Sequence, residues 1–308
     1  MPAVSVIIPA YNASEWLPAA LGSLSAQTCP DWEAMVVDDG STDSTAAAAQ
    51  RLAAKDARIR LLRQANAGVS AARNAGIAAS EGEYICFLDA DDLLHPQALE
   101  LALGALRDSG APITVVRESY GALPERFDAP CAGEPQILSG LRAVEECLYR
   151  RKLEPSMHGA LIDRRLFTAD ALFRPGTRYE DLDLFYRLYE KADRIALLPQ
   201  RLYFYRDHAA SFIRTFSPSR LDVLEVTDRI CTHYAGTPLE AAARDRSLSA
   251  AFNLLTLLPA GHTAIAECRR RVRALRRRCF FNPRGRLLNK AAVLLTPPST
   301  RLIRLLKR

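Results

Sequence analysis

The chain reads as an α/β domain built on a mainly parallel sheet, followed by a helical extension. Three observations predict this. Short apolar runs recur along the first hundred residues, each closes in acidic or turn residues, and a helix-forming segment follows each. Beyond residue 215 the strand-like runs stop and apolar residues recur at helical spacing instead.

Taken in order, Val4-Ser5-Val6-Ile7-Ile8-Pro9 is a strand, and Asn12-Ala13-Ser14-Glu15 has the pattern of a capping box that opens a helix. Trp32 to Val37 is a second strand, closed by Asp38-Asp39-Gly40-Ser41-Thr42-Asp43 and followed by an Ala-rich helix from Ser44 to Ala54. Ile59 to Arg63 is a third, after which Asn66 to Gly76 is a loop running into a helix. The fourth, Tyr84-Ile85-Cys86-Phe87-Leu88, empties into Asp89-Ala90-Asp91-Asp92, and His95-Pro96 marks the next helix start. Farther on, Ile113 to Val116 is a strand, the proline-containing stretch Ala122 to Pro135 a loop, and Ser139 to Arg151 a helix. Tyr179 to Leu188 is an amphipathic helix, and the aromatic-basic stretch Tyr203-Phe204-Tyr205-Arg206-Asp207-His208 closes the domain near residue 215.

In a parallel sheet the loops at the carboxyl ends of the strands form one binding face. Tyr11, Asp39 and Asp91 all fall on such loops, so residues some eighty positions apart converge there. Three carboxylates within four residues suit a hard cation such as Mg²⁺ or Mn²⁺, which takes one or two protein carboxylates and leaves other positions to water and phosphate oxygens. On a ligand reading Tyr11 stacks on a base, Asp39 accepts a hydrogen bond from a base N–H, and Arg73 pairs with a diphosphate through its fork of donors. Each residue also has a structural reading. The Asp run suits the cap of the next helix, Asp38-Asp39-Gly40 suits an Asx-type turn, and Tyr11 suits a half-buried loop aromatic.

Together, Val4 to Asn12, Val36 to Thr45, Asn66 to Gly76 and Phe87 to Asp92 resemble the family 2 glycosyltransferases, whose GT-A fold is a Rossmann-like nucleotide-diphospho-sugar transferase architecture. The resemblance implies a nucleotide-sugar site formed by Pro9, Ala10, Tyr11, Asn12, Asp39, Gly68, Arg73, Asp89, Ala90 and Asp91. It makes Asp91 the metal ligand, with His208 as a second, for a Mn²⁺ or Mg²⁺ cofactor. It makes Asp181, in Tyr179-Glu180-Asp181-Leu182-Asp183, the general base that takes a proton from an acceptor hydroxyl, with Glu180 and Asp183 as competing carboxylates. Arg206 or His208 approaches the diphosphate or the metal, and Met157-His158-Gly159-Ala160 lines the acceptor side. The same segment from Tyr179 is also an ordinary amphipathic helix, whose first turn favours acids through the helix dipole. The implied organisation is a catalytic domain over 1–215, with a nucleotide-sugar half at 1–110 and an acceptor half at 111–215, then a helical extension over 216–308.

The composition suits a soluble enzyme: 308 residues, 49% hydrophobic, are ample for one large core and an appendage. Seven scattered cysteines without a CxxC pair suit reduced thiols in the cytosol, and the six-residue apolar start lacks the basic leader of a signal peptide. Charge is unevenly placed. Residues 265–308 hold fourteen Lys or Arg and one acid, a charge of +13, which leaves −7 on residues 1–264. Arg269 to Arg278 wraps a helix in positive charge, and Arg301, Arg304 and Arg308 share a helical face opposite Leu302, Leu305 and Leu306, in the manner of an interfacial anchor on an anionic membrane. The longest apolar stretch of the tail, Ala291 to Leu295, is far below a spanning length. No RNA or DNA fold signature accompanies the basic tail, and a basic helix docked on the acidic domain is the structural alternative.

The expected function is a metal-dependent, inverting transfer of a sugar, UDP-linked, to a hydroxyl of a glycan or lipid-linked glycan in cell-surface polysaccharide synthesis, at the cytoplasmic face of the plasma membrane. The helices between 219 and 264 pack on the catalytic domain or form a homodimer contact. Two other classes compete: a sugar-1-phosphate nucleotidyltransferase, which would need an early Gly-rich phosphate loop that Pro9 to Asn12 does not supply, and a non-catalytic sugar-nucleotide or membrane-binding protein.

Overall fold

The computed structural model describes residues 1–121, 133–207, 216–287 and 289–290. His208, most of the Ala122 to Pro135 loop and the tail from Ala291 to Arg308 lie outside the described residues. The first four predicted strands form as β1 (Val4–Ala10), β2 (Trp32–Asp39), β3 (Ile59–Gln64) and β4 (Tyr84–Phe87), joined by α1 (Leu17–Ser25), α2 (Thr45–Ala53) and α3 (Val69–Ala79). β5 (Leu93–Leu94), α4 (Ala98–Ser109), β6 (Ile113–Gly121), β7 (Gln136–Ser139), α5 (Gly140–Leu148) and β8 (Leu161–Asp163) follow, then α6 (Glu180–Tyr189) and β9 (Arg194–Arg206).

The strands form one sheet in the order β3-β2-β1-β4-β8-β6-β9-β5, with β7 paired to β9. The β3-β2-β1-β4 half is parallel throughout, in register from Val4↔Trp32 to Ala10↔Asp38 and from Val4↔Tyr84 to Ile7↔Phe87. β8 lies antiparallel to both β4 and β6, whereas β6 and β9 run parallel. Strands of a parallel sheet are buried on both faces, and β1 shows it: Val6 and Ile8 join the core with Leu17, Leu21, Leu99 and Leu103, while Ile7, equally buried, meets α3 on the other face. That second contact needs Gly76, because a Cβ there would lie 2.4 Å from Ile7 Cγ2 and 3.2 Å from Val37 Cγ2.

Two local readings differ. Asn12 does not cap α1, which starts at Leu17 after Trp16 with no side-chain cap. Its backbone is left-handed, φ 49°, and its Oδ1 accepts from the Thr42 and Asp43 amides at 2.9 and 3.3 Å. The polar side chain that a helix N-terminus wants serves equally well to satisfy a turn. The short strands β5, β7 and β8 fall in segments without legible strand periodicity; they pair antiparallel with β9 or β4 and β6.

The chain divides into two compact units. The first, Met1–Ala143, Ser156–Gly176 and Leu184–Ser211, holds the whole sheet. The second takes Val144–Pro155, Thr177–Asp183 and Phe212–Arg308. In the second, α7 (Asp222–His233), α8 (Glu240–Leu257) and α9 (Ala264–Phe280) bury Val226 and Ile230, Leu248, Leu254 and Leu255, and the α9 stripe Cys268, Val272 and Cys279. Arg271 turns inward to Glu267 at 2.7 Å and to Asp228, whereas Arg270, Arg273, Arg276, Arg277 and Arg278 stay exposed. Among the described residues no helix is long and apolar enough to cross a membrane.

Gly76→Val is expected to destabilise the protein by about 1–3 kcal/mol through overpacking against Ile7 and Val37. Chemical denaturation measures it; an unchanged midpoint would mean that α3 slides on the sheet without loss.

Candidate active site

The acidic loops at the carboxyl ends of β1, β2 and β4 are held by the chain itself. After β2, Gly40 turns at φ 72°; a Cβ at this position would meet the Asn66 amide nitrogen at 2.7 Å, so only glycine fits so close a backbone. Asn12 then fastens the β1 loop to the β2 loop, with the Ala13 amide donating to Thr45 Oγ1 at 2.8 Å and the Ser14 amide to Asp43 at 3.1 Å. Tyr11, next to this clasp, is 53% exposed, as a ring available for stacking must be. Pro9 and Ala10 are the last residues of β1, paired with Val37 and Asp38.

Asp38 and Asp39 diverge in role. Asp38 is fully buried and accepts from the Ser41 amide and from Arg63. Asp39 reaches across to the loop that follows β3: Oδ1 accepts from Gln64 at 2.7 Å and the Ala67 amide at 2.9 Å, and Oδ2 from the Gly68 amide at 2.8 Å. Gly68, at φ 87°, is the residue from which α3 starts. Asp39 therefore orders the β3–α3 loop. With two acceptor positions on each oxygen, Oδ2 retains one beyond this bond.

The densest group of charges stands after β4. Arg73, on α3, is 1% exposed, lies between the rings of Phe87 and Phe173 at 5.7 and 5.2 Å, and donates to Asp89 Oδ1 at 2.9 Å. Arg73 was expected at a diphosphate; in this structure it engages the carboxylate of the acidic motif. The other oxygen of Asp89 faces His158 Nε2 at 3.3 Å. His158 stacks on Tyr203, centroids 5.1 Å apart, and its Nδ1 lies 3.3 Å from Glu118 Oε1. Glu118 in turn accepts from Ser156 at 2.7 Å and from Tyr120. Burial pushes the Asp89 carboxyl up, but the charges of Arg73 and His158 outweigh it and hold the group well below the usual carboxylate range.

Asp92 behaves in the opposite way. It is 1% exposed, and its oxygens accept from the Tyr203 hydroxyl at 2.6 Å and the Arg206 amide at 2.8 Å. Burial first, then the charges of Asp89 and Asp91, push it up to about 8. Arg206 Nε donates to the Asp91 carbonyl at 2.8 Å, and its guanidinium lies 4.9 Å from the ring centre of Trp16. Ala90 is buried in the core beneath this turn.

Ligand oxygens of Asp89, Asp91 and Asp92 lie within 4.8 Å of one another. Hard oxygen donors at this spacing fit Mg²⁺ or Mn²⁺. Asp92 accepts from Tyr203 and Arg206, and Asp89 meets Arg73 and His158, while Asp91 is half-buried. His158, Glu118, Tyr203 and Asp92 are contributions that sequence reasoning missed or placed elsewhere. The signal for Asp92 was its place in the Asp run, whereas nothing in the spacing joins Glu118 to His158.

In the second unit, Asp181 and Glu180 stand half-buried in the first turn of α6. Asp183, their competitor, is fully buried and bound to Arg229 Nε at 2.8 Å. A fully buried carboxylate so paired is part of the packing, since breaking the pair leaves a buried charge without its partner.

Residues 5–144 match the Glycosyl transferase family 2 model. Glycosyltransferase GlyG of Streptococcus pneumoniae serotype 4 is 28% identical over 222 residues, 69% of this chain and 73% of that protein. Glycosyltransferase EpsJ of Bacillus subtilis is 30% identical over 230 residues, 68% of this chain and 63% of that protein, so the chain spans less than two thirds of it. Among solved structures, residues 1–349 of TarS from S. aureus superpose with a TM-score of 0.68 at 20% identity, over 99% of this chain and 91% of that one. The mannosyltransferase PcManGT of Pyrobaculum calidifontis, in complex with GDP-Man and Mn²⁺, gives 0.54 at 18% identity, over 100% and 88%. The expected GT-A architecture therefore holds. Since the matched stretch carries Asn12, Asp39, Arg73 and the whole Asp89 to Asp92 turn, the chain belongs to the family 2 glycosyltransferases.

Proposed function

We propose that the protein transfers a sugar, with inversion, from a UDP-sugar to a hydroxyl of a glycan or lipid-linked glycan in surface-polysaccharide synthesis. The observation that carries this reading is the Asp89, Asp91 and Asp92 cluster, whose ligand oxygens lie within 4.8 Å of one another at the carboxyl end of β4. TarS has been crystallised with UDP-GlcNAc and with UDP, and PcManGT with GDP-Man and Mn²⁺; these neighbours support a nucleotide-sugar donor and a divalent ion. Asp91 holds the ion, backed by Asp89, with His208 as a further ligand. When bound, the ion neutralises the diphosphate of the leaving group.

The remaining roles fall to the chain. Tyr11 stacks on the base, and Asp39 uses the open position on Oδ2 to accept from it. Asp181 takes the proton from the acceptor hydroxyl as that oxygen attacks the anomeric carbon, and attack from the face opposite the diphosphate inverts the configuration. Asp183 is unsuited to that role because Arg229 engages it. The exposed arginines of α9 and the basic tail hold the protein to an anionic membrane surface on the cytoplasmic side. Residues 1–215 act as the catalytic domain and 216–308 as the extension.

A panel of nucleotide sugars, with and without Mn²⁺ or Mg²⁺, is the direct test. One donor is expected to bind and to release nucleoside diphosphate only with metal, and Asp91→Asn is expected to remove both responses. Absence of binding to every donor under both conditions overturns the reading.

Asp181→Asn is expected to lower kcat by about 10²–10⁴-fold while leaving donor affinity unchanged. Isothermal titration beside single-turnover kinetics separates the two effects, and activity retained by the variant removes Asp181 from the mechanism.

Sedimentation with vesicles containing phosphatidylglycerol is expected to retain the protein at low salt and release it at high salt. Replacing Arg273, Arg276 and Arg277 by Gln is expected to weaken that retention; binding indifferent to charge and salt excludes an electrostatic anchor.

A further inference from the structure

The helical unit contains a concentration of arginine that the transfer reaction does not use. Arg246 lies in the middle of α8, and its Nε is sealed from solvent with no hydrogen-bond partner. The segment after α9 folds back beside it. Asn282 donates to the Tyr149 hydroxyl at 2.8 Å, Arg284 pairs with Glu145 at 2.8 Å, and Arg151 donates to the Arg284 carbonyl. A Cβ at Gly285 would lie 3.0 Å from Asp245 Oδ1, and Asn289 donates to the Asp245 carboxylate at 2.7 Å. These contacts bring Arg286 and Arg150 to the flank of α8 where Arg246 stands.

Charge around Arg246 does not balance. Glu154, the acid that acts favourably on it, is bound by Arg150 Nε at 2.6 Å. Burial, the neighbouring charge of Arg150 and then that of Arg286 bring the Arg246 guanidinium down to about 10, with Glu154 opposing. Burial and Arg150 lower Arg286 as well, with Asp245 and Glu154 opposing. Three guanidinium groups share two carboxylates, Glu154 and Asp245, which leaves an excess of positive charge, and a buried N–H without an acceptor is costly. A polyanion offsets the excess positive charge, and the planar forks of arginine match the oxygens of a phosphate group.

We propose that Arg150, Arg246 and Arg286 form a phosphate-binding site in the helical unit, separate from the acidic cluster that follows β4. Its ligand class is a phosphate group with two or more charged oxygens, carried on a soluble phosphate ester or on a lipid headgroup. Arg246 is the inner donor, and Arg150 and Arg286 flank it.

The test is titration of the full-length protein with inorganic phosphate, read by calorimetry and by the shift in Tm. The wild type is expected to bind and to gain Tm. Arg246→Met keeps the bulk of the side chain in place and is expected to bind roughly tenfold or more weakly, as is Arg286→Gln, which is safer for folding because Arg286 is less enclosed. Arg51→Gln, on the exposed face of α2, is expected to match the wild type. Flotation with phosphatidylcholine vesicles containing phosphatidic acid separates the sources. Binding that depends on Arg246 points to a headgroup, and vesicle binding indifferent to Arg246 alongside Arg246-dependent phosphate binding points to a soluble ester. Phosphate that fails to bind, or binds the wild type, Arg246→Met and Arg286→Gln alike, overturns the site.

Discussion

Three carboxylates within four residues at the end of a buried strand repel one another, and the surroundings of β4 are built to contain that repulsion. Asp89 is kept ionised by Arg73 and His158, and Asp92 is pushed toward its protonated form by burial and by its two neighbours. Asp89 and Asp92 are thereby driven in opposite directions, one toward the ionised and one toward the protonated form. Several otherwise costly features become intelligible from this. A guanidinium between Phe87 and Phe173 would be an expensive burial without Asp89 to meet it. The Tyr203 hydroxyl, on a fully buried side chain, has Asp92 as its acceptor and lies 3.2 Å from the Asp89 amide, which donates to it.

The same requirement explains why so much of the site is scaffold. Asp39 and Asn12 look like ligand residues because they are polar and stand on the binding face, yet in this structure their side chains first join loops to each other. Asp39 binds the β3–α3 loop through three donors, and Asn12 binds the turn after β2. Loops at the carboxyl edge of a parallel sheet have no ladder to support them, so their backbone donors must find side-chain acceptors. A face ordered in this way is preorganised, and binding then loses less free energy to the ordering of loops.

The first four strands and their helices were legible because each strand is buried on both faces and interrupted by turn chemistry, as at Trp32 to Asp39 followed by Gly40. The acidic cluster was legible for the same reason, being local. What was not legible depends on partners distant in the chain. Arg73 carries no mark of being buried rather than exposed to a diphosphate, since Phe173, which covers it, lies a hundred positions away. His158 and Glu118 are forty apart, and neither stands in a pattern. β5 and β8, at two and three residues, are too short to show alternation. Asn12 was misread because capping boxes and turn clasps call for the same side chain.

The acidic pair on α6 shows how the structure sharpens what the sequence leaves open. Glu180, Asp181 and Asp183 stand within four residues and all suit the start of a helix, where the dipole favours negative charge. Spacing along the chain ranks none of them. Arg229, 46 residues away on α7, removes Asp183 from the comparison by forming an ion pair with a carboxylate that is fully buried. Asp181 and Glu180 keep partial exposure, which a proton acceptor needs in order to meet a hydroxyl and afterwards release the proton to water. A helix N-terminus lowers basicity but fixes direction, and for a base acting on one oxygen direction is the scarcer requirement. Under the role proposed for Asp181, the helical extension bears on the chemistry through Arg229, whose ion pair anchors Asp183 in the same first turn of α6.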